Sequence, residues 1–275
     1  MKYDSEETKY RYMYSDWRDT WMTIDLWIQR GFNDFKSRYH HTFLGVLWHT
    51  INPVIFSLVI SLVFSSILDI EFIHYFIYVL LGYSVWLFAN DILGAGSNIF
   101  VLQAGFILSQ KTPLEGLIIQ SLIQKMIVLS INLSIAFLVA MLLGNKPLLN
   151  ISTLLITLVL LFQAGLSGFA ASLFLSIICA KFRDIPIFIG NCLRFLFFVT
   201  PIVWYPDMKA EGLRQTVTYL NPLYYATEMP RAIFLYSEID AKPFLVISLL
   251  NVFLIIIAIC IRWAFAKKIN LWILP

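Results

Sequence analysis

A chain of 275 residues with 59% hydrophobic and 13% charged positions departs from soluble domains, where those shares are about 45–50% and about 25%. Its polar residues are too few to coat a water-soluble fold of this length, so much of its surface is expected to face lipid. The net charge of +3, without a basic run interleaved with aromatics, excludes nucleic acid as a partner.

Residues 1–43 are polar, aromatic and charged, and no apolar stretch follows a short basic start, so they do not read as a cleavable leader. Trp17, Trp21, Ile24, Ile28, Phe32 and Phe35 recur at spacings of three and four, while Arg18, Asp19, Asp25, Gln29 and Arg30 fall largely elsewhere. That pattern predicts an amphipathic helix at the membrane–water interface, within a cytosolic N-terminal segment.

Residues 44–275 read as an all-α integral membrane domain. A helix needs about 20 apolar residues to cross a hydrocarbon core of about 30 Å. Six stretches approach or exceed this: Ile51–Leu68, Phe72–Asn90, Leu117–Leu143, Leu148–Cys179, Ile185–Trp204 and Pro243–Ile261. The third and fourth exceed the minimum and are expected to tilt. Most of the 20 Lys and Arg residues precede the first stretch, follow the last, or fall in the loops after the second and fourth. By the positive-inside rule both termini are cytosolic and the chain is a multi-pass protein of the inner membrane. Between the fifth and sixth stretches, Tyr205–Lys242 is too polar to cross, yet it carries Leu213, Val217, Leu220, Leu223, Tyr224, Tyr225, Ile233 and Phe234. Asn221–Pro222 interrupts it, because proline disfavours helix at the residue before it. Residues 205–242 are therefore expected to form a re-entrant hairpin of two short helices, an external gate that persists only against protein or a wet cavity.

Motifs for chemistry are missing. There is no G-x-x-x-x-G-K-[ST] loop, no H-E-x-x-H pair and no G-x-S-x-G elbow. His40, His41, His49 and His74 do not form a ligand set, and Cys179, Cys192 and Cys260 read as small packing residues. Acidic residues are scarce in the spans, which leaves a proton relay poorly supplied. No enzyme, metal or cofactor is expected in this chain, and its energy must come from a partner.

The run from Arg38 to Trp48 (RYHHTFLGVLW), with Asn52–Pro53 after it, resembles the R-Y-x-x-[ST]-x-L-G-x-x-W…P signature of type-2 ABC exporter permeases. Arg183-Asp184-Ile185, Thr200-Pro201-Ile202, Asn221-Pro222-Leu223 and Arg231 follow in the order and spacing of the polysaccharide-export branch of that family, which serves O-antigen, capsule and teichoic acid. Two departures stand out. His40 and His41 occupy positions where basic residues are common, and Ser109-Gln110-Lys111-Thr112-Pro113 lacks the aromatic usual in that loop. The resemblance implies a homodimer paired with two cytosolic ATP-binding subunits, on which ATP and Mg reside. It further implies a lipid-linked polysaccharide as substrate, moved from the cytosolic to the outer face.

Within that frame, Arg38 is a bidentate donor for the substrate's phosphates, or else an anchor paired with Asp34. Arg194, about 15 Å along its helix from Asp184, lines the phosphate or glycan route with Asn191, or satisfies Asp91 or a carbonyl at a dimer seam. Gln110, Lys111, Thr112, Pro113 and Glu115 are expected to meet the ATPase. Arg183 and Asp184 either join them or order their own loop as an ion pair. Lys125 snorkels to headgroups without a function. Phe56, Phe64, Trp86, Phe88, Phe195, Phe198 and Trp204 are candidates for stacking on sugar rings, and Thr200, Pro201, Asn221, Pro222 and Arg231 for the external gate. A membrane-embedded lipid-glycan transferase is the rival reading, but no convergent acids or nucleophile support it.

Overall fold

The structure is a computed structural model that describes residues 6–40, 43, 45–110, 112–143, 151–206, 212–236, 240–266 and 268–273. Among them every regular element is helical. The helices are α1 (Glu6–Met22), α2 (Ile24–Tyr39), α3 (Trp48–Leu68), α4 (Phe72–Leu102), α5 (Ala104–Gln110), α6 (Leu114–Leu142), α7 (Ile151–Lys181), α8 (Ile185–Val199), α9 (Leu213–Leu220), α10 (Pro222–Phe234), α11 (Ala241–Phe265) and α12 (Ile269–Ile273).

Among the described residues five helices are long and apolar enough to span: α3 with the turn before it, α4, α6, α7 and α11. The fifth expected stretch, Ile185–Trp204, is the exception. Only 15 residues of it are helical, as α8, a length of about 22 Å at 1.5 Å per residue. At Thr200–Pro201 the chain leaves the helix for a run of bends. Conversely, α4 does not stop at Asn90 but continues to Leu102. Asp91, just past the expected end, and Asn98 both lie inside the helix. Helices α5 and α12 were not expected. Asn221 separates α9 from α10, and its side-chain oxygen accepts from the Leu223 amide to cap α10.

Helix α4 is the hub. Every residue from Tyr75 to Leu81 is buried, which requires neighbours on all sides, and α3, α6, α7, α8 and α10 supply them. Helix α3 turns small residues inward and large ones outward. On α3, Thr50, Pro53, Ser57, Ser61 and Ser65 are buried, while Ile55, Leu58, Val59, Leu62 and Val63 are exposed. In lipid, apolar burial gives helices no reason to associate, so close contact between small residues does so instead. At the α4–α7 crossing a Cβ on Gly96 would lie 2.8 Å from the Ser172 Cα. Only glycine fits there.

The N-terminal helices dock on protein more than the sequence suggested. Trp27, Gly31 and Phe35 are the buried face of α2, whereas Trp21, Ile28 and Phe32 of the expected apolar face are exposed. Trp27 occupies the space a side chain at Gly116 would need, and Gly31 sits against the Gln120 carbonyl. Asp34 accepts from Gln120 and Gln124 of α6. Trp17 of α1 meets Phe169 of α7 edge-on, with ring centroids 6.0 Å apart.

Candidate functional site

Irregular backbone within a membrane bundle must have its carbonyls satisfied by protein. The segment after α8 meets this demand through Arg231, Tyr78 and Tyr75. Arg231 of α10 is fully buried. Its Nη1 donates to the Pro201 carbonyl at 2.9 Å and to Glu228 Oε1 at 2.7 Å, and its Nε donates to the Tyr78 carbonyl at 3.2 Å. The guanidinium lies over the Tyr78 ring, 3.5 Å from its centroid. Tyr78 Oη donates to the Pro201 and Trp204 carbonyls, and Tyr75 Oη donates to that of Val203. Asn221 Nδ2 donates to Thr200 Oγ1 at 2.8 Å, itself bonded to the Leu196 carbonyl at the end of α8. A side chain at Gly82 would collide with the Arg231 guanidinium.

The three motifs Thr200-Pro201-Ile202, Asn221-Pro222-Leu223 and Arg231 therefore converge on one fastening. Arg231, Thr200, Pro201 and Asn221, expected at an external gate, are buried, and only Pro222 among them is exposed. Every face of the Arg231 guanidinium is occupied by the chain's own groups. Tyr75, Tyr78 and Glu228 went unnoticed in the sequence. Tyrosines in an apolar run look like ordinary aromatics until their carbonyl partners, more than 120 residues away, are known.

Helix α8 presents an open face. Ile187, Phe188, Phe195 and Phe198 are 68–75% exposed. Asn191 and Arg194 are exposed beside them, with Arg194 Nη1 3.5 Å from Asn191 Oδ1. Arg194 does not serve Asp91, whose carboxylate instead lies 3.5 Å from Lys125 Nζ. Lys125 thus has a partner within the bundle and is not simply snorkelling. The aromatic candidates divide. Phe64, Phe195 and Phe198 are exposed, and Trp204 Nε1 donates to the Phe198 carbonyl. Phe56 stacks on Tyr83 with centroids 4.0 Å apart. Trp86 and Phe88 are buried against the helices packed around α4.

At the other end of the bundle, where α1, α5 and α12 gather, Arg38 is exposed at the end of α2 and Asp34 is engaged with α6 instead. Tyr39 Oη is hydrogen-bonded to His49 Nε2. His41 and Lys111 lie outside the described residues. Gln110 is exposed, whereas Thr112 is buried and donates to the Phe106 carbonyl, and Pro113 precedes α6. Arg183 and Asp184 are exposed, and Arg183 donates to the Trp272 carbonyl of α12. Lys181 lies over the rings of Phe182, Phe265 and Trp272.

Glu115 lies deeper than Gln110. Expected on the surface against an ATPase, it is fully buried, and its Oε1 accepts from Arg262 Nε at 2.8 Å. Arg262 Nη2 donates to Asp16 of α1, so one guanidinium ties α1, α6 and α11 together. In the sequence Arg262 passes for an ordinary cationic flank of the last span. Burial, aided by Glu115, outweighs Arg262 and pushes the Asp16 carboxyl from 3.8 up to about 6. The folded chain then holds this proton more tightly than the unfolded chain, so stability falls as pH rises between those values and is level above them. The melting midpoint in detergent is expected to be higher at about pH 4 than at about pH 7, and Asp16→Asn should remove that component.

Residues 31–235 match the family described as ABC-2 type transporter. The O-antigen export system permease protein RfbA of Myxococcus xanthus is 25% identical over 225 residues, covering 81% of this chain and 85% of that protein. A protein of the same name from Klebsiella pneumoniae is 26% identical over 208 residues, covering 73% and 76%. The family match contains α8, the Arg231 fastening and the Arg38 turn, but ends before Arg262. The chain belongs to the ABC-2 type transporter family, as a multi-pass membrane transport subunit and not an enzyme.

Proposed function

We propose that this chain is the permease of an ATP-driven exporter that carries a lipid-linked polysaccharide, of the O-antigen type, from the cytosolic to the outer face of the inner membrane. The observation that carries the proposal is the exposed face of α8. A guanidinium turned to hydrocarbon costs at least about 2.5 kcal/mol, so intramembrane arginines face bundle interiors or water. Arg194 therefore belongs at a protein seam or beside a hydrated path. A second copy of the chain, set against α3 and α8, creates both. The names of the relatives support the substrate class.

In this reading residues 1–43 and both chain ends are cytosolic, and residues 44–275 form the permease domain. The substrate's phosphates meet Arg38 and then Arg194 with Asn191, while Phe64, Phe195, Phe198 and Trp204 offer faces on which sugar rings slide. Two ATP-binding subunits, with their Mg and ATP, dock at Gln110–Pro113 and at Arg183–Asp184. Closure of those subunits moves α8 and parts the outer hairpin, α9 and α10, which pivots on the buried Arg231. The test is complementation in cells that lack the chain but keep its ATPase partner and glycan synthesis. Arg194→Ala and Arg38→Ala should each lower surface polysaccharide by about tenfold or more, the worth of one charge-assisted contact, at unchanged protein level. Full surface polysaccharide without the chain would overturn the reading.

A further inference from the structure

A groove of about 550 Å³ runs between α1, α6, α7 and α11, within the range of about 300–1,000 Å³ typical of ligand pockets. Its walls are apolar, with Leu122, Met126, Leu166 and Phe169 among them. Trp21 and Phe162 on its rim are about two-thirds exposed, so it opens toward the hydrocarbon. Water gains nothing from such a lining, which has too few polar partners for it.

The groove changes character at one end, where Thr20 and Glu115 join the lining. Thr20 Oγ1 is committed to the Asp16 carbonyl. Glu115 is different. Among the described residues, Glu115 Oε2 and Arg262 Nη1 are buried without a hydrogen-bond partner. Two carboxylates, Asp16 and Glu115, share the single Arg262 guanidinium, which leaves this end with excess negative charge. Arg18 and Asp19 on α1 lie 3.5 Å apart as an exposed pair and add no net charge. An apolar trough ending where two carboxylates share one guanidinium matches a lipid with an N–H-bearing cationic head and one chain to bury.

We propose that this groove is a site for one acyl chain of an aminophospholipid of the phosphatidylethanolamine class, whose ammonium is drawn to the Asp16–Glu115 end. The site lies away from the α8 face and rests only on the chain spanning a bilayer, so it stands or falls independently of the substrate reading. The lipid wedges α1 against the bundle and sets its ammonium beside the partly exposed Asp16 carboxylate.

The experiment reconstitutes the full chain into nanodiscs of equal parts phosphatidylethanolamine, phosphatidylglycerol and phosphatidylcholine. Lipid retained after release is then measured by native mass spectrometry. Phosphatidylethanolamine should be retained about tenfold over phosphatidylcholine, which has a cation but no N–H donor, and more strongly still over anionic phosphatidylglycerol. Gly165→Leu fills the groove without strain, because a Cβ there meets only Met126 Cε, at 4.0 Å. It should abolish retention at an unchanged melting midpoint, and brominated acyl chains should then quench Trp17 and Trp21 less. Asp16→Asn should keep the chain bound but reduce the headgroup preference. Undiminished retention in Gly165→Leu, or retention without headgroup preference in the unaltered chain, would overturn the proposal.

Discussion

Arg231→Met should leave little monodisperse protein in the membrane fraction, and what survives should melt far below the unaltered chain. Removing one partner of a buried ion pair costs about 3–5 kcal/mol, a large part of a total stability of about 5–15 kcal/mol. Here the loss is wider than one pair. The carbonyls of Pro201 and Tyr78 lose their guanidinium donors, and Glu228 loses its cation. Arg231→Lys should fall between the two, because an ammonium keeps the charge but cannot reproduce the planar fork that reaches several acceptors at once. Gly82→Ala should produce a similar defect without touching the arginine, since its new Cβ occupies the guanidinium's place. Size-exclusion profiles in detergent, with melting followed by tryptophan fluorescence, read all three variants. Wild-type behaviour of Arg231→Met would show that the fastening does not hold the segment after α8.

The second large effect concerns Glu115 and Arg262. Glu115→Ala leaves the Arg262 guanidinium, 1% exposed, short of a partner and should destabilise the chain by about 3 kcal/mol or more. The paired replacement Glu115→Leu with Arg262→Met should recover part of that loss, because an apolar pair of similar volume avoids the desolvation of both ions, while Asp16 loses its cation but stays partly in contact with solvent. A double-mutant cycle on melting midpoints isolates the coupling. If the double variant were as damaged as the sum of the singles, Glu115 and Arg262 would act through other groups. The same cycle also tests attachment of α1, since Asp16 reaches the bundle through Arg262. Trypsin should cleave within α1 sooner in either single variant.

These charged clusters show where sequence reading stops. Arg231, Arg262 and Arg194 are identical in composition, yet one is entombed by carbonyls, one joins three helices and one lies open. What separates them is contact with residues remote in the chain. Long apolar runs were readable because the bilayer imposes a length, and α3, α6, α7 and α11 lie within a few residues of their expected bounds. Helix α8 came out too long because Ile202, Val203 and Trp204 are as apolar as a helix, although their backbone is held by Tyr75, Tyr78 and Arg231. Helix α4 came out too short because Asp91 looked like an end, when Lys125 on α6 lies within ion-pair distance of it. The inward faces of the spans were hidden for a further reason. On α3 the usual pattern inverts between lipid and protein, and small residues such as Ser57 and Ser61 mark the buried side. The motifs Thr-Pro-Ile, Asn-Pro and Arg231 were legible as a set, but their interlocking around one guanidinium was not.

A photo-reactive amino acid at Phe195, on the open face of α8, tests the transport path most directly. In cells making the lipid-linked glycan and the ATPase partner, irradiation should yield adducts that carry polysaccharide, and these should disappear when glycan synthesis is blocked. Adducts with phospholipid alone, whether or not the glycan is made, would place this face against the bilayer and contradict a transport path along it.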